Sequence, residues 1–126
     1  MNKIILTLLL FSFAAYSQTN RFSGTWSNEN RKDASKQYVL KITVAESKNE
    51  IYGVAEVINV DDKLSTGILE ITGHVDRLGN QASIVLKGKN NMRANAVLYT
   101  KDNILQFIKS GGTDLIPREV FLDKQY

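Results

Sequence analysis

Hydrophobic and polar residues alternate with a period of two through most of the chain after residue 36. In residues 37–46, for example, Leu40, Ile42 and Val44 alternate with the polar residues Lys41 and Thr43. Similar segments cover residues 50–60, 67–76, 81–87, 93–100, 103–109 and 115–123. Because successive side chains of a β-strand point to opposite faces, this pattern predicts strands with one buried face. No run shows the three-four spacing of an amphipathic helix, so we predict little helix.

Short polar connectors separate these segments and carry residues typical of tight turns. They include "SKNE", "RLGN", "KGKNN", "KDN" and "SGGTD", in which Gly and Asn readily adopt positive φ angles. Strands joined by such turns pair antiparallel with their sequence neighbours. With "FSGTWSN" (residues 22–28) as the first strand, we predict an all-β fold. Its expected form is an antiparallel eight-stranded up-and-down (meander) barrel, in which closure removes the exposed sheet edges.

One connector differs from the others. Residues 28–36, "NENRKDASK", form a long polar segment without Gly between the first two predicted strands. We expect this segment to be a short helix or a flap over one end of the barrel.

The N-terminal segment has the order of a secretory signal peptide. Lys3 gives it a positive start, residues 4–15 are almost continuously apolar, and small residues flank Tyr16. The apolar run is short for a bilayer core of about 30 Å. We therefore expect cleavage after Ser17, a single β-barrel domain over residues 18–126, and a secreted or periplasmic location. The signal resembles those of Gram-negative bacteria, and an uncleaved anchor or a buried first strand is the alternative.

Composition and charge exclude several classes of partner and chemistry. The chain has no Cys, so we expect no disulfide and no thiolate chemistry. Its formal net charge is +3, and Lys and Arg are interleaved with Asp and Glu rather than gathered in a basic stripe. We therefore expect no nucleic acid partner. No second apolar segment is long enough to cross a bilayer, so we also expect no stable membrane insertion.

Few residues are candidates for catalysis or metal binding. The single His, His74, alternates onto the polar face beside Glu70 and Thr72. A serine nucleophile would need this imidazole as a base, oriented by a carboxylate, and the sequence indicates no such arrangement. Asp61 and Asp62 lie together in a turn and supply too few oxygen ligands for calcium. We expect no catalytic residue, no metal and no cofactor.

The stretch "GTW" carries a resemblance to a known family. Gly24 and Trp26 form a Gly-x-Trp pattern in the first predicted strand, followed by a long loop and a meander. This resembles the lipocalins and related calycin-type barrels, in which the Trp lies at the closed end under a basic side chain of the last strand. The resemblance implies a structural cluster of Gly24, Trp26 and Arg118, since Arg118 in "IPREVFL" occupies the corresponding strand. "GTWSN" is also similar to the opening strand of avidin-type barrels, which implies Ser27 and Asn28 at a ligand site, although avidins use several Trp residues.

Two non-catalytic functions fit these features. The preferred one is a lipocalin-like carrier of a small apolar ligand, with a pocket at the barrel end covered by residues 28–36, opposite Trp26. Its expected ligand-binding walls are Tyr38, Leu40, Val54, Leu69, Leu98 and Phe107. The alternative is a protein-binding module, such as an inhibitor of a secreted enzyme, a toxin-neutralising protein or an envelope-associated protein. It would bind through the outside of the barrel or its loops, with residues 28–36 and "SGGTDL" (residues 110–115) as the candidate surface.

The inward face contains several small residues, and these leave the state of the barrel interior open. They are Gly53, Ala55, Gly73, Ala82, Ala94 and Ala96. Such residues either leave a hollow for a ligand or offset large neighbours in a filled barrel, since eight strands enclose little more than their own side chains.

Overall fold

The structure is a computed structural model that describes residues 21–31, 37–61 and 63–125. The expected signal peptide, the middle of the long first loop and Asp62 lie outside the described residues. The described residues contain no helix, and thus none that is long and apolar enough to cross a membrane. They form eight strands: β1 (Gly24–Ser27), β2 (Tyr38–Ser47), β3 (Glu50–Asn59), β4 (Leu69–Val75), β5 (Gln81–Lys87), β6 (Arg93–Lys101), β7 (Ile104–Gly112) and β8 (Glu119–Gln125).

The eight strands form a closed barrel in sequence order. Each strand pairs antiparallel with the next, and β1 also pairs with β8 to close the sheet. Trp26 lies opposite Ile42 of β2 on one side and opposite Lys124 of β8 on the other. The predicted all-β meander barrel is therefore confirmed. The first segment and the segment 67–76 are shorter than predicted, and the last strand begins later than predicted, because Pro117 precedes β8 rather than lying within it.

Asn residues make the tight turns, as the connectors indicated. The β2–β3 and β6–β7 hairpins each have two adjacent residues at positive φ, Lys48–Asn49 and Asp102–Asn103. Two positive φ angles in a row are typical of type I′ turns, whose twist matches that of the flanking strands. Asn90 and Asn91 adopt the same conformation between β5 and β6.

The two ends of the barrel follow from this topology. One end, which we call the Trp26 end, carries residues 21–23, the turns 48–49, 76–80 and 102–103, and the end of β8. The opposite end, the loop end, carries residues 28–31, 37, 60–61, 63–68, 88–92 and 113–118.

Large apolar side chains of all eight strands meet inside the barrel as one core. Small residues lie beside large ones within it: Gly53 pairs with Val44 and Ile71, and Gly73 pairs with Ile51. Phe22 closes the core at the Trp26 end and is fully buried. The segment before β1 is held there by Ser23, whose Oγ accepts a hydrogen bond from the backbone N of Glu46 at 2.8 Å.

Candidate functional site

Four of the six expected pocket walls lie in the packed core. Leu40, Leu69, Leu98 and Phe107 are 0% exposed, so no part of them is accessible to solvent. Tyr38 is half-buried and packs against the same core. The small inward residues Ala55, Ala82, Ala94 and Ala96 are also buried. Among the described residues, the small side chains therefore offset large neighbours rather than line a hollow.

Val54 does not face the interior, so its assignment to the pocket wall is wrong. Its side chain is 43% exposed and lies on the outer face, opposite Thr43 on β2 and Glu70 on β4. The physical reason is the alternation of the strand itself. Because Ala55 points inward, its neighbour Val54 must point outward.

A basic side chain does cover Trp26, but it comes from Lys124. The Nζ atom of Lys124 lies 5.8 Å from the centre of the indole ring, and Lys124 stands directly opposite Trp26 across the β1–β8 pairing. The indole Nε1 donates a hydrogen bond to the backbone O of Phe22 at 2.9 Å. A cation over a ring face is attracted by the electron density of the ring, so the cluster stabilises the Trp26 end.

The conformation of Gly24 explains the glycine of the Gly-x-Trp pattern. Its φ angle is +140°, which L side chains rarely adopt, and a methyl group there would lie 3.1 Å from Cε of Lys124. Gly24 thus leaves room for the lysine stem to cross onto the indole.

The assignment of Arg118 to this cluster is wrong. Arg118 is exposed and precedes β8, at the loop end of the barrel. Since β1 and β8 run antiparallel, the residue that meets Trp26 must come from the C-terminal part of β8. Lys124 continues the inward alternation of Val120 and Leu122.

The side chains of Ser27 and Asn28 form hydrogen bonds with backbone groups of the protein, so these groups are not left open for a ligand. The side-chain amide of Asn28 donates to the backbone O of Tyr38 at 2.9 Å and accepts from the backbone N of Leu40 at 2.9 Å. This amide therefore continues the β1–β2 pairing beyond the last residue of β1. The hydroxyl of Ser27 accepts from the backbone N of Glu29.

His74 lies exposed on the outer face, in a cross-strand row with Glu50 and Ser83. In this row the structure shows no hydrogen bond from His74 to either residue. The Glu50 carboxylate accepts instead from the hydroxyl of Tyr52, and this hydrogen bond raises the pKa of Tyr52 above its ordinary value of 10.0. Within the described part of the chain, no group of three or more acidic, His or Cys side chains could hold a metal ion.

A groove with aromatic walls lies on the outer face of β6, β7 and β8. Tyr99, Ile104 and Phe121 expose 38%, 38% and 43% of their surface around it, and its volume is about 450 Å³. The strand registers bring these side chains together, because Tyr99 and Phe121 both stand opposite Gln106, on its two sides. Exposed apolar side chains gathered in a concavity are typical of interaction sites.

Arg31 borders Phe121 at the edge of this groove. Its guanidinium carbon lies 5.9 Å from the centre of the Phe121 ring, and its Nη1 donates to Oδ1 of Asp123 at 2.8 Å. The aromatic wall is therefore supported from the first loop as well as from β8.

A second pocket of about 520 Å³ opens at the Trp26 end, and we call it the end pocket. Its walls contain three cations, Arg21, Lys101 and Lys124, and one carboxylate, Asp102. Asn80, Thr100, Lys101 and Asp102 line both the end pocket and the groove. The groove and the end pocket are therefore neighbours, and these four residues form the edge between them.

Sequence reasoning missed this surface because it placed the possible protein-binding surface on residues 28–36 and 110–115 rather than on the outer face of β6–β8. Each apolar residue of the groove is isolated in the sequence, and only the pairing of three strands brings them together. The available signal was the presence of Tyr99, Ile104 and Phe121 at outward positions of their strands.

Comparison with protein-family models, with curated proteins and with solved structures finds no match to this chain. The closed meander barrel is compatible with a calycin-type architecture, and membership of the lipocalins stays a prediction.

Proposed function

We propose that this protein is an exported, non-catalytic binding protein that engages a protein partner through the groove on β6–β8. The observation that supports this most is the cluster of Tyr99, Ile104 and Phe121, which exposes apolar surface from three strands around one concavity. Aromatic side chains are enriched at protein interfaces, where they fill pockets on the partner. Export rests on the signal-like pattern of residues 1–17.

The apolar-ligand carrier expected from the sequence is less well supported. Such a carrier needs an interior that a ligand can reach, and the four core residues expected to line it have no accessible surface. The outer groove needs no rearrangement of the core to receive a side chain from a partner. The protein-binding module is therefore the better supported of the two functions.

Site-specific photo-crosslinking tests this proposal. A benzophenone amino acid replaces Phe121 in one variant and Val54 in a control variant, because both native side chains are 43% exposed on the outer face and lie on different strands. We expect the Phe121 variant, expressed in the native host, to give one discrete protein adduct that the Val54 variant does not give.

Two results would contradict the proposal. Equal adducts from both positions would show non-specific contact. The absence of adducts, together with saturable binding of an apolar dye, would favour the carrier.

A further inference from the structure

The groove and the end pocket form one continuous surface held rigid by backbone hydrogen bonds. The backbone N of Thr100 donates to the O of Asn80 at 3.2 Å, which ties β6 to the β4–β5 turn. The backbone N of Lys124 donates to the O of Asn103 at 3.2 Å, which ties β8 to the β6–β7 turn. The backbone that carries Lys101 and Lys124 is therefore held next to the groove, within reach of an occupant.

The charges of the end pocket are not neutralised within the described residues. Arg21 and Lys101 are exposed and Lys124 is half-buried, and none of the three forms an ion pair with a described carboxylate. Asp102 is the one acidic residue in the wall. The carboxylate of Asp76 in the neighbouring turn accepts from the backbone N of Gly79. The pocket thus has an excess of positive charge.

Resting on the proposed function, we infer that the partner presents an acidic segment with a bulky apolar side chain. The apolar side chain occupies the groove between Tyr99, Ile104 and Phe121, and one or more carboxylates of the segment lie in the end pocket. Tyr99 and Lys101 point outward two residues apart on β6, a separation of roughly 7 Å. An extended segment would therefore carry its carboxylate about two residues from the apolar side chain.

The shape of the groove favours an inserted side chain over a flat anionic surface. Its walls come from three strands and border an open groove of about 450 Å³, a volume within the range of sites that receive a ligand group. A flat lipid surface would leave this volume unfilled.

Selection from a display library of random twelve-residue peptides on the purified protein tests the inference. We expect the selected peptides to be enriched in Asp or Glu two to four residues from a bulky apolar residue. Fluorescence anisotropy then measures their affinity for three double variants. Arg21→Gln with Lys101→Gln removes two cations of the end pocket. Lys87→Gln with Lys89→Gln removes two exposed cations at the loop end, so this control variant has the same net charge as the end-pocket variant. Ile104→Ser with Phe121→Ser removes the apolar walls.

We expect a loss of affinity of about tenfold in the end-pocket variant, near the sum of two exposed charge contacts, and no loss in the loop-end variant. Added salt should weaken binding to the unmodified protein. If peptides without acidic enrichment bind and only the groove variant loses them, the acidic-segment inference is overturned and the proposed function stands. If no peptide is selected, or if the protein binds anionic lipid vesicles instead, the inference is likewise overturned.

Discussion

The indole of Trp26 is fixed by two contacts within the protein. Its Nε1 donates to the backbone O of Phe22, and Lys124 covers the ring because Gly24 leaves space for the lysine stem. The residue is only 1% exposed. We therefore interpret Trp26 as a structural residue that closes the barrel, although Trp26 and Lys124 also line the end pocket.

Replacing Lys124 should reveal a specific contact with Trp26. Lys124→Met keeps most of the apolar stem and removes the charge, so we expect a loss of about 0.5–1 kcal/mol, as for an exposed cation–π contact. Lys124→Ala should cost more because the stem packing is also lost. Urea denaturation measures both, and each should be non-additive with Trp26→Phe.

Arg118→Met is the matched control for this charge. Arg118 is exposed at the other end of the barrel, so its replacement should change stability by no more than about 0.5 kcal/mol. A larger loss of stability from Arg118→Met than from Lys124→Met would contradict the assignment of Lys124 as the basic side chain that covers Trp26.

At the level of the strands, β1 is short for the role that it has. It has four residues, yet it pairs with both β2 and β8 and so closes the barrel. The side chain of Asn28 compensates by bonding to two backbone groups of β2. A buried amide with both its oxygen and its nitrogen bonded satisfies backbone groups that would otherwise be left without a partner.

Gly73 allows β4 and β5 to approach each other closely in the curved sheet of the barrel. A methyl group on Gly73 would lie 2.3 Å from the backbone O of Ser83 and 2.9 Å from Cα of Ile84. Because these are backbone atoms, a side-chain rotation cannot relieve the clash. Strand glycines commonly mark such close approaches and tight bends.

We therefore expect Gly73→Ala to destabilise the protein by about 3 kcal/mol or more, at the upper end of the cost of overpacking. Gly111→Ala is the control, since a methyl group there meets no atom within 4 Å, and its effect should be within about 0.5 kcal/mol. Urea denaturation of the two variants measures the difference. Equal stabilities would show that the strands can separate at Gly73 without cost.

At the scale of the whole molecule, the core and the outer face have separate roles. The inward residues fill the barrel and stabilise it, while the outward residues of β6–β8 form the proposed binding surface. This division fits a barrel of eight strands, whose interior is little larger than its own side chains.

The substitution Leu98→Trp distinguishes a filled barrel from a hollow one. Leu98 is 0% exposed in the core, so a larger ring should overpack it and cost about 1–3 kcal/mol. For a domain of this size we expect the melting temperature to fall by at least ~5 °C. Differential scanning calorimetry provides the measurement.

Tyr99→Trp is the control, because Tyr99 is the next residue on the same strand and points outward. We expect its melting temperature to stay close to that of the unmodified protein. A preserved melting temperature in Leu98→Trp, with loss of saturable dye binding, would instead indicate a hollow interior.

Alternation and turn chemistry were sufficient to predict the strands, their order and the antiparallel meander. Both signals are local: side-chain direction repeats every two residues along a strand, and a two-residue turn with positive φ forces its neighbours to pair. The same alternation placed Leu40, Leu69, Leu98 and Phe107 inside and His74 outside, as the structure does. Applied strictly to β3, the same alternation also places Val54 on the outer face, although Val54 was assigned to the pocket wall.

The register across β1 and β8 was decided only by the tertiary structure. These two strands lie at opposite ends of the chain, so no local pattern states which residue of β8 meets Trp26, and Lys124 rather than Arg118 takes that place. The filled core also depends on how side chains from facing strands fit together, which composition does not determine. The groove arises in the same way, because Tyr99, Ile104 and Phe121 become neighbours only when three strands pair in register.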